Sequence, residues 1–321
     1  MQQRVVVLGA SGFIGRRVMA ALRRTGWATP VGVSRQALGF DRRSYESLTF
    51  DATDATALAR ALDGASAVVN CVAGSAYAIT RTAELLFATA AAMARPPRIV
   101  HMSSLAVYGS EPRDVDESSR PAVDLDPYGA AKVQADDFAA RYGRAVVLRP
   151  GIVYGPESPW WSDRIARLLI ARRLGDLGSA GIGFCNLAYV EDVAMAVVQS
   201  LLLPSLEGRS FNLSMHEPPT WNEYFQRYSV ALAATPVRRI SAMRLAYETR
   251  LVGPLLKIAA IMLRSDRNLP VPIRPWLLRL CGQRVLMRSL AAPMALQLQW
   301  TPLDVGLEGT ARWFLLGNRT P

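Results

Sequence analysis

Gly9, Gly12 and Gly15 sit three apart in "VVVLGASGFIGRRV", directly after an apolar run. A chain turning from strand to helix needs a residue tolerant of unusual dihedrals, a role for Gly9. Gly12 has no side chain to hold a pyrophosphate off the backbone, and Gly15 lets strand and helix pack closely. The helix opening at Phe13 and Ile14 then offers free N–H groups and a partial positive charge to phosphates. Further on, "DPYGAAKVQADD" sets Tyr128 four residues before Lys132, stacking both side chains on one helix face. A phenol of ordinary pKa, about 10, is a poor acid–base group at neutral pH. A nearby ammonium stabilises its phenolate, and the same lysine can hold a cofactor ribose. Between the two motifs, a strand-like run ends in the hydroxyls of Ser103 and Ser104, within "SSLAVYG". A phosphate loop and a lysine-supported tyrosine point to dinucleotide-dependent transfer of a proton and a hydride.

Such residues need rigid elements behind them. Strand-like runs at 5–8, 29–33, 48–50, 67–72, 98–102 and 145–148 alternate with helical patterns at 12–24, 55–62 and 76–94. That alternation predicts a parallel sheet with right-handed crossovers and helices on both faces. Beyond residue 150 it gives way to loops, helices and Pro-rich joints. The expectation is an α/β chain: a Rossmann-type, doubly wound dinucleotide-binding domain over 1–155, with some later segments returning to it. A smaller, mostly helical substrate lobe is expected over 156–321. The end of the second strand selects the dinucleotide. An acid there would hold the ribose 2′-OH of NAD, whereas "VGVSRQ" has Ser34 and Arg35. Arg35 suits a 2′-phosphate, so NADP is expected, with NAD the alternative; Arg16 leans the same way. After the third strand, Asp51 in "FDATD", beside Ala52, is placed to accept from an adenine amino group.

The 321 residues, half of them hydrophobic and 20% charged, are enough for a large core. The N-terminal residues read as a strand rather than a signal peptide, and the apolar run near 251–263 is interrupted by Pro254 and Lys257. Cys71, Cys185, Cys281, His101 and His216 give no metal-ligand or disulfide spacing, so no metal and a cytoplasmic location are expected. His101 reads as a core residue on a buried strand. Trp160 and Trp161 suit either stacking on a ligand or loop packing. The formal charge is +11, and 227–288 alone holds twelve basic and two acidic residues. That segment reads either as a solvated arginine face or as a surface for an anionic partner. No nucleic-acid motif accompanies it. Its arginines interleave with apolar pieces such as "LVGPLLKIAAIMLR", which suits peripheral contact with an anionic membrane.

Taken in order, "GASGFIG", "FDATD", "NCVAG" (70–74), "SSLAVYG", Tyr128 with Lys132, "LRPGIVYGP" (148–156), "YVEDVA" (189–194), "FNLS" (211–214) and "LQWTPLDVGLEGTARW" (298–313) resemble an extended short-chain dehydrogenase/reductase of the NAD-dependent epimerase/dehydratase family. The resemblance is weakest from about 225 to 295. It implies that Ser104 hydrogen-bonds the reacting oxygen, Tyr128 is the acid–base, and Lys132 lowers its pKa and holds the ribose. It places Ala73 and Gly74 where the backbone passes the cofactor, and Pro150 and Ile152 beside the nicotinamide. It gives "FNLS" and "YVEDVA" the task of positioning the substrate lobe, and implies a homodimer. Dehydratases of the family carry Asp-Glu directly after the catalytic Ser/Thr; here Leu105 and Ala106 move no proton, so dehydration is disfavoured. The arginine many nucleotide-sugar members place before "YVEDVA" is also missing from "GIGFCNLAYV". The expected function is hydride transfer at a carbinol or keto carbon of a sugar-like small molecule, diphosphate- or lipid-linked. A ketoreductase and an epimerase share that half-reaction. A non-catalytic NADP-binding sensor or assembly protein is the reading of another class.

Overall fold

The N-terminal half alternates β-branched runs with alanine- and leucine-rich segments. In the computed structural model, which describes residues 2–37, 46–262 and 270–317, these become β1 (Gln3–Leu8), α1 (Phe13–Arg24), β2 (Ala28–Ser34), β3 (Glu46–Thr49), α2 (Ala55–Leu62), β4 (Ala67–Asn70), α3 (Ala76–Ala92), β5 (Arg98–Met102), β6 (Arg113–Val115), α4 (Pro127–Tyr142) and β7 (Ala145–Pro150). There follow β8 (Ile152–Tyr154), α5 (Arg164–Ile170), β9 (Leu187–Tyr189), α6 (Val190–Leu202), β10 (Ser210–Leu213), α7 (Trp221–Ala231), α8 (Ala242–Tyr247), α9 (Gly253–Met262), α10 (Pro275–Gly282), β11 (Val285–Met287), α11 (Ala292–Ala295) and α12 (Leu303–Gly317).

Seven strands form one sheet in the order β3-β2-β1-β4-β5-β7-β10, all pairs parallel. The sheet is buried on both faces, as β1 shows by alternation. Val5 and Val7 pack with α1 and α6, whereas Val6 and Leu8 pack with α2 and α3. The order reverses between β1 and β4. That reversal opens a crevice at the carboxyl ends of the strands, the usual ligand position in such sheets.

The edge strand β10 and helix α6 come from beyond residue 155. "FNLS" therefore supplies an edge of the main sheet, pairing Ser210–Leu213 with Val147–Pro150, and the helix begun by "YVEDVA" packs on α1. Both segments are apolar enough to complete a two-sided sheet core. The second body has its own core, built on Trp221, Tyr224, Phe225 and Tyr228 of α7 against α5 and α12. Two short pairs, β8 with β9 and β6 with β11, link the bodies.

Candidate active site

The turn after β1 fixes the crevice. Gly9 has φ +77°, and a Cβ there would lie 2.9 Å from the Cys71 carbonyl at the end of β4. A Cβ on Gly15 would overlap the Gly9 carbonyl oxygen. Strand, loop and helix thus approach closer than any side chain allows. Helix α1 has no side-chain cap at Gly12, so its first N–H groups face the loop unpartnered by side chains. A glycine cradle at the sheet's reversal and an uncapped helix end fit the diphosphate of a dinucleotide.

The hydroxyls of Ser104 and Tyr128 are set by two packed turns. Ser104 caps a short 3₁₀ turn, Leu105–Tyr108, its Oγ accepting from the Ala106 N–H at 3.1 Å. The oxygen is used as acceptor, which leaves the Ser104 proton to donate. Asp126 caps α4 through the Gly129 N–H at 2.7 Å, with Pro127 in the first turn. Gly129 lies against the 3₁₀ turn, where a Cβ would come 2.8 Å from the Ala106 carbonyl oxygen. That close approach brings Tyr128 beside Ser104.

Lys132, one turn on, is 2% exposed; its Nζ donates to the Met102 carbonyl at 2.7 Å and lies 5.8 Å from the Tyr128 ring centroid. Burial pulls its pKa down to about 8, against the opposing pull of Asp136 and Cys71. Tyr128 is raised above the ordinary tyrosine value, chiefly by burial. The Ser104 hydroxyl opposes that shift and the Asp126 carboxylate adds to it. This runs opposite to the lowering expected from Lys132, because desolvation of the phenol dominates and the ammonium is bonded to a backbone carbonyl instead. The Cys71 thiol, pushed up to about 12 by burial, stays protonated.

These groups line a cavity of about 940 Å³. Of the expected site residues, Phe13, Ile14, Ala73, Ser104, Tyr128, Lys132, Pro150 and Ile152 line it, and so do Leu105 and Ala106. Gly9, Gly12, Gly15 and Gly74 do not line it; the first three lie in the loop and first turn around Phe13 and Ile14, and Gly74 is exposed beside Ala73. Ser34, Arg35, Asp51 and Ala52 lie apart, Ser34 ending β2, Arg35 just after it, and Asp51 and Ala52 shortly after β3. The buried Ser34 hydroxyl donates to the Gln36 carbonyl, while Arg35 is exposed and near enough to help lower the Asp51 pKa, set mainly by bonds from Thr53. Arg16 is held by Glu157 at 3.2 Å. Trp160 and Trp161 form part of the wall, joined by Trp276, Arg279 and Gln283 from the region where sequence motifs are weakest. Trp276 meets both tryptophans edge-on, at 6.2 and 5.7 Å. Among the described residues, no cluster of His, Cys, Asp or Glu is spaced to hold a metal ion.

Behind Lys132 runs a buried polar chain that draws Asn70, Tyr108, Arg149 and Asn212 from four separate motifs and joins them to His101 and Asp136. Asn70 Oδ1 accepts from the Val72 N–H, which turns its amide nitrogen toward His101 Nδ1 at 3.2 Å. His101 then carries its proton on Nε2, 3.9 Å from Asp136 Oδ1. Burial, helped by the Lys132 charge, drops the His101 pKa to about 3 and keeps the ring neutral. Asp136 accepts from Arg149 Nε at 3.1 Å, and Arg149 Nη1 donates to the Tyr108 hydroxyl, also at 3.1 Å. That hydroxyl lies 2.8 Å from Asn212 Oδ1 on β10. The spacing of Lys132 and Asp136 on one helix face was the available signal.

Comparison with known proteins agrees with this architecture. The model of the NAD dependent epimerase/dehydratase family matches residues 5–214. A dTDP-6-deoxy-L-talose 4-dehydrogenase (NAD(P)(+)) of Kitasatospora kifunensis is 32% identical over 194 residues, 54% of this chain and 60% of that protein. A dTDP-glucose 4,6-dehydratase of Streptomyces niveus is 32% identical over 183 residues, 48% and 54% of the two chains. The match thus spans little more than half the length of these relatives. The crystal structure of UDP-glucuronic acid 4-epimerase from Bacillus cereus in complex with NAD shares the fold, with a TM-score of 0.74 at 18% identity over 97% of this chain and 96% of that one. The chain belongs to the NAD-dependent epimerase/dehydratase family.

Proposed function

We propose that the protein is an NADP-linked oxidoreductase that transfers hydride at a carbinol or keto carbon of a sugar-like substrate, diphosphate- or lipid-linked. The observation that carries this is the convergence of Ser104, Tyr128 and Lys132 with Phe13, Ile14, Ala73, Pro150 and Ile152 on one cavity. A nicotinamide dinucleotide, when bound, supplies or accepts the hydride. The Tyr128 hydroxyl gives or takes the proton of the reacting oxygen, and its raised pKa favours the protonated, donating form suited to carbonyl reduction. Ser104 donates to the same oxygen. Lys132 holds a ribose and lends its positive charge while the pH stays below about 8. Leu105 and Ala106 put no acid or base at the neighbouring carbon, which supports reduction or epimerisation over dehydration.

Tyr128→Phe is expected to lower kcat by a factor of roughly 10²–10⁴, the usual worth of a positioned acid–base, with cofactor binding retained. Unchanged turnover would overturn the reading and favour a non-catalytic role. The preference for NADP rests on Arg35, exposed where the second strand ends without an acid. Arg35→Ala is expected to weaken NADPH binding roughly tenfold to a hundredfold, the worth of a charge-assisted contact, and to leave NADH unchanged. Equal affinities for the two in the native protein would end that preference. Epimerisation with retained NAD is the second reading, favoured by the family likeness to a 4-epimerase. Mass spectrometry of nucleotide released from the purified protein separates them: NAD⁺ carried through purification means epimerase.

A further inference from the structure

Helices α8 and α9, joined by a π-helical turn at Glu248–Val252, form one unbroken helical run; the joining residues Glu248 and Gly253 both keep helical dihedrals. Along it Met243, Tyr247, Leu251, Leu255, Ile258 and Met262 recur at spacings of four and three residues, and each is more than half exposed. Helical geometry stacks such positions in a single stripe, here roughly 30 Å long. Leu245 of the same run is buried in the core, so the exposed stripe is a second apolar face, turned away from the protein. Glu248, the only acid in 242–262, is buried and held by Arg173. Arg250 beside the stripe is exposed, as is Arg238 just before the run, and Arg244 is partly exposed.

We propose that this stripe is a docking surface for an anionic lipid bilayer, with the helix lying in the interface plane. Four observations choose that occupant. The rim is basic, and the one acid is turned inward, so the face complements negative charge. The stripe is a convex row of flexible methionine, leucine and isoleucine side chains with a tyrosine near one end. It is neither a groove nor a set of polar contacts that would read a folded partner. A second copy packed by two-fold symmetry would bring the arginine rims together, like against like. Among the described residues no helix is long and apolar enough to cross a membrane, so the contact lies on the surface. The run is also tied to the cavity lip. Gly253 packs near the Ile273 carbonyl, Arg274 stacks on Trp160 at 5.6 Å, and Trp276, Arg279 and Leu280 of α10 line the cavity. Docking would bring that lip toward the lipid, where a lipid-linked substrate would enter. The surface lies outside the catalytic groups, so docking stands or fails independently of the hydride chemistry.

Co-sedimentation with vesicles tests it, using phosphatidylcholine alone and phosphatidylcholine mixed with phosphatidylglycerol. The protein should bind the anionic vesicles at low salt, bind phosphatidylcholine poorly, and be released as salt rises. Leu251→Glu with Leu255→Glu should abolish sedimentation, whereas Met294→Glu, an exposed apolar change on α11, should not. Arg244→Gln with Arg250→Gln, which leaves the stripe intact, should weaken binding roughly thirtyfold, the pull of two arginines at an anionic surface. Circular dichroism and light scattering accompany each variant. The proposal is overturned if the native protein ignores anionic vesicles, as it would were an acidic protein the true partner. It is also overturned if both double variants bind like the native chain, or if the glutamate pair instead converts a dimer to monomer.

Discussion

Lys132 is a charged group in a place that penalises charge. Its pKa falls from 10.5 to about 8, which amounts to a cost of about 3 kcal/mol while the ammonium is protonated in both folded and unfolded chains. Below pH 8 the whole cost is present. Between pH 8 and 10.5 the folded chain holds fewer protons than the unfolded one, so this group's cost fades as pH rises. Lys132→Met should therefore be more stable than the native protein at neutral pH, by up to about 3 kcal/mol, yet inactive. Urea unfolding at neutral pH and again above the Lys132 pKa would show the gap closing. A Lys132→Met protein that is less stable at neutral pH would mean that its bond to the Met102 carbonyl outweighs the desolvation. The motif residues Ser104, Tyr128 and Lys132 were legible because their chemistry is local in sequence. Asn70, His101, Arg149 and Asn212 were not, since they meet only when four strands of the sheet are assembled.

At the level of elements, the cavity depends on how α4 begins. Asp126 supplies the cap, and Tyr128 follows two residues later in the same turn. Asp126→Ala should cost about 1 kcal/mol of stability, the usual worth of such a cap. It should lower kcat more than it changes KM, because the first turn that aims the phenol frays while the rest of the cavity stands. Thermal melts and steady-state kinetics would check both; a kcat drop matched by an equal KM rise would mean that the turn binds substrate rather than aiming Tyr128. Most strands and helices of the first half were readable from period and β-branching, and β1, β5 and α2 fall where expected, whereas the three-residue β6 is too short to show a period. The α10 wall was not readable. Trp276 and Arg279 stand in a segment whose arginine-rich composition resembles any solvated surface, and only folding brings them opposite Trp160.

The molecule as a whole does not divide where its composition changes. Near residue 155 the alternation of strands and helices ends, yet α6 and β10 lie beyond it and complete the sheet's layers. The polar chain crosses the same line: Asn212 Nδ2 donates to the Arg288 carbonyl and Ser289 Oγ to the Asn212 carbonyl. A fragment ending at 155 should be insoluble or non-cooperative in urea, whereas the full chain should unfold in a coupled transition. A soluble, dinucleotide-binding fragment would show that β7 can serve as a bare edge.

The late arrival of β10 also sets a schedule for synthesis. The strand that shields β7 is translated some sixty residues after it, and the carbonyl that fixes Asn212 comes later still. While the ribosome is still at work, the nascent sheet carries an open flank able to pair with any neighbouring extended chain. Slow stretches of translation between β7 and β10 would lengthen that exposure, so the yield of native protein depends on how quickly this interval is traversed and on chaperones that cover it.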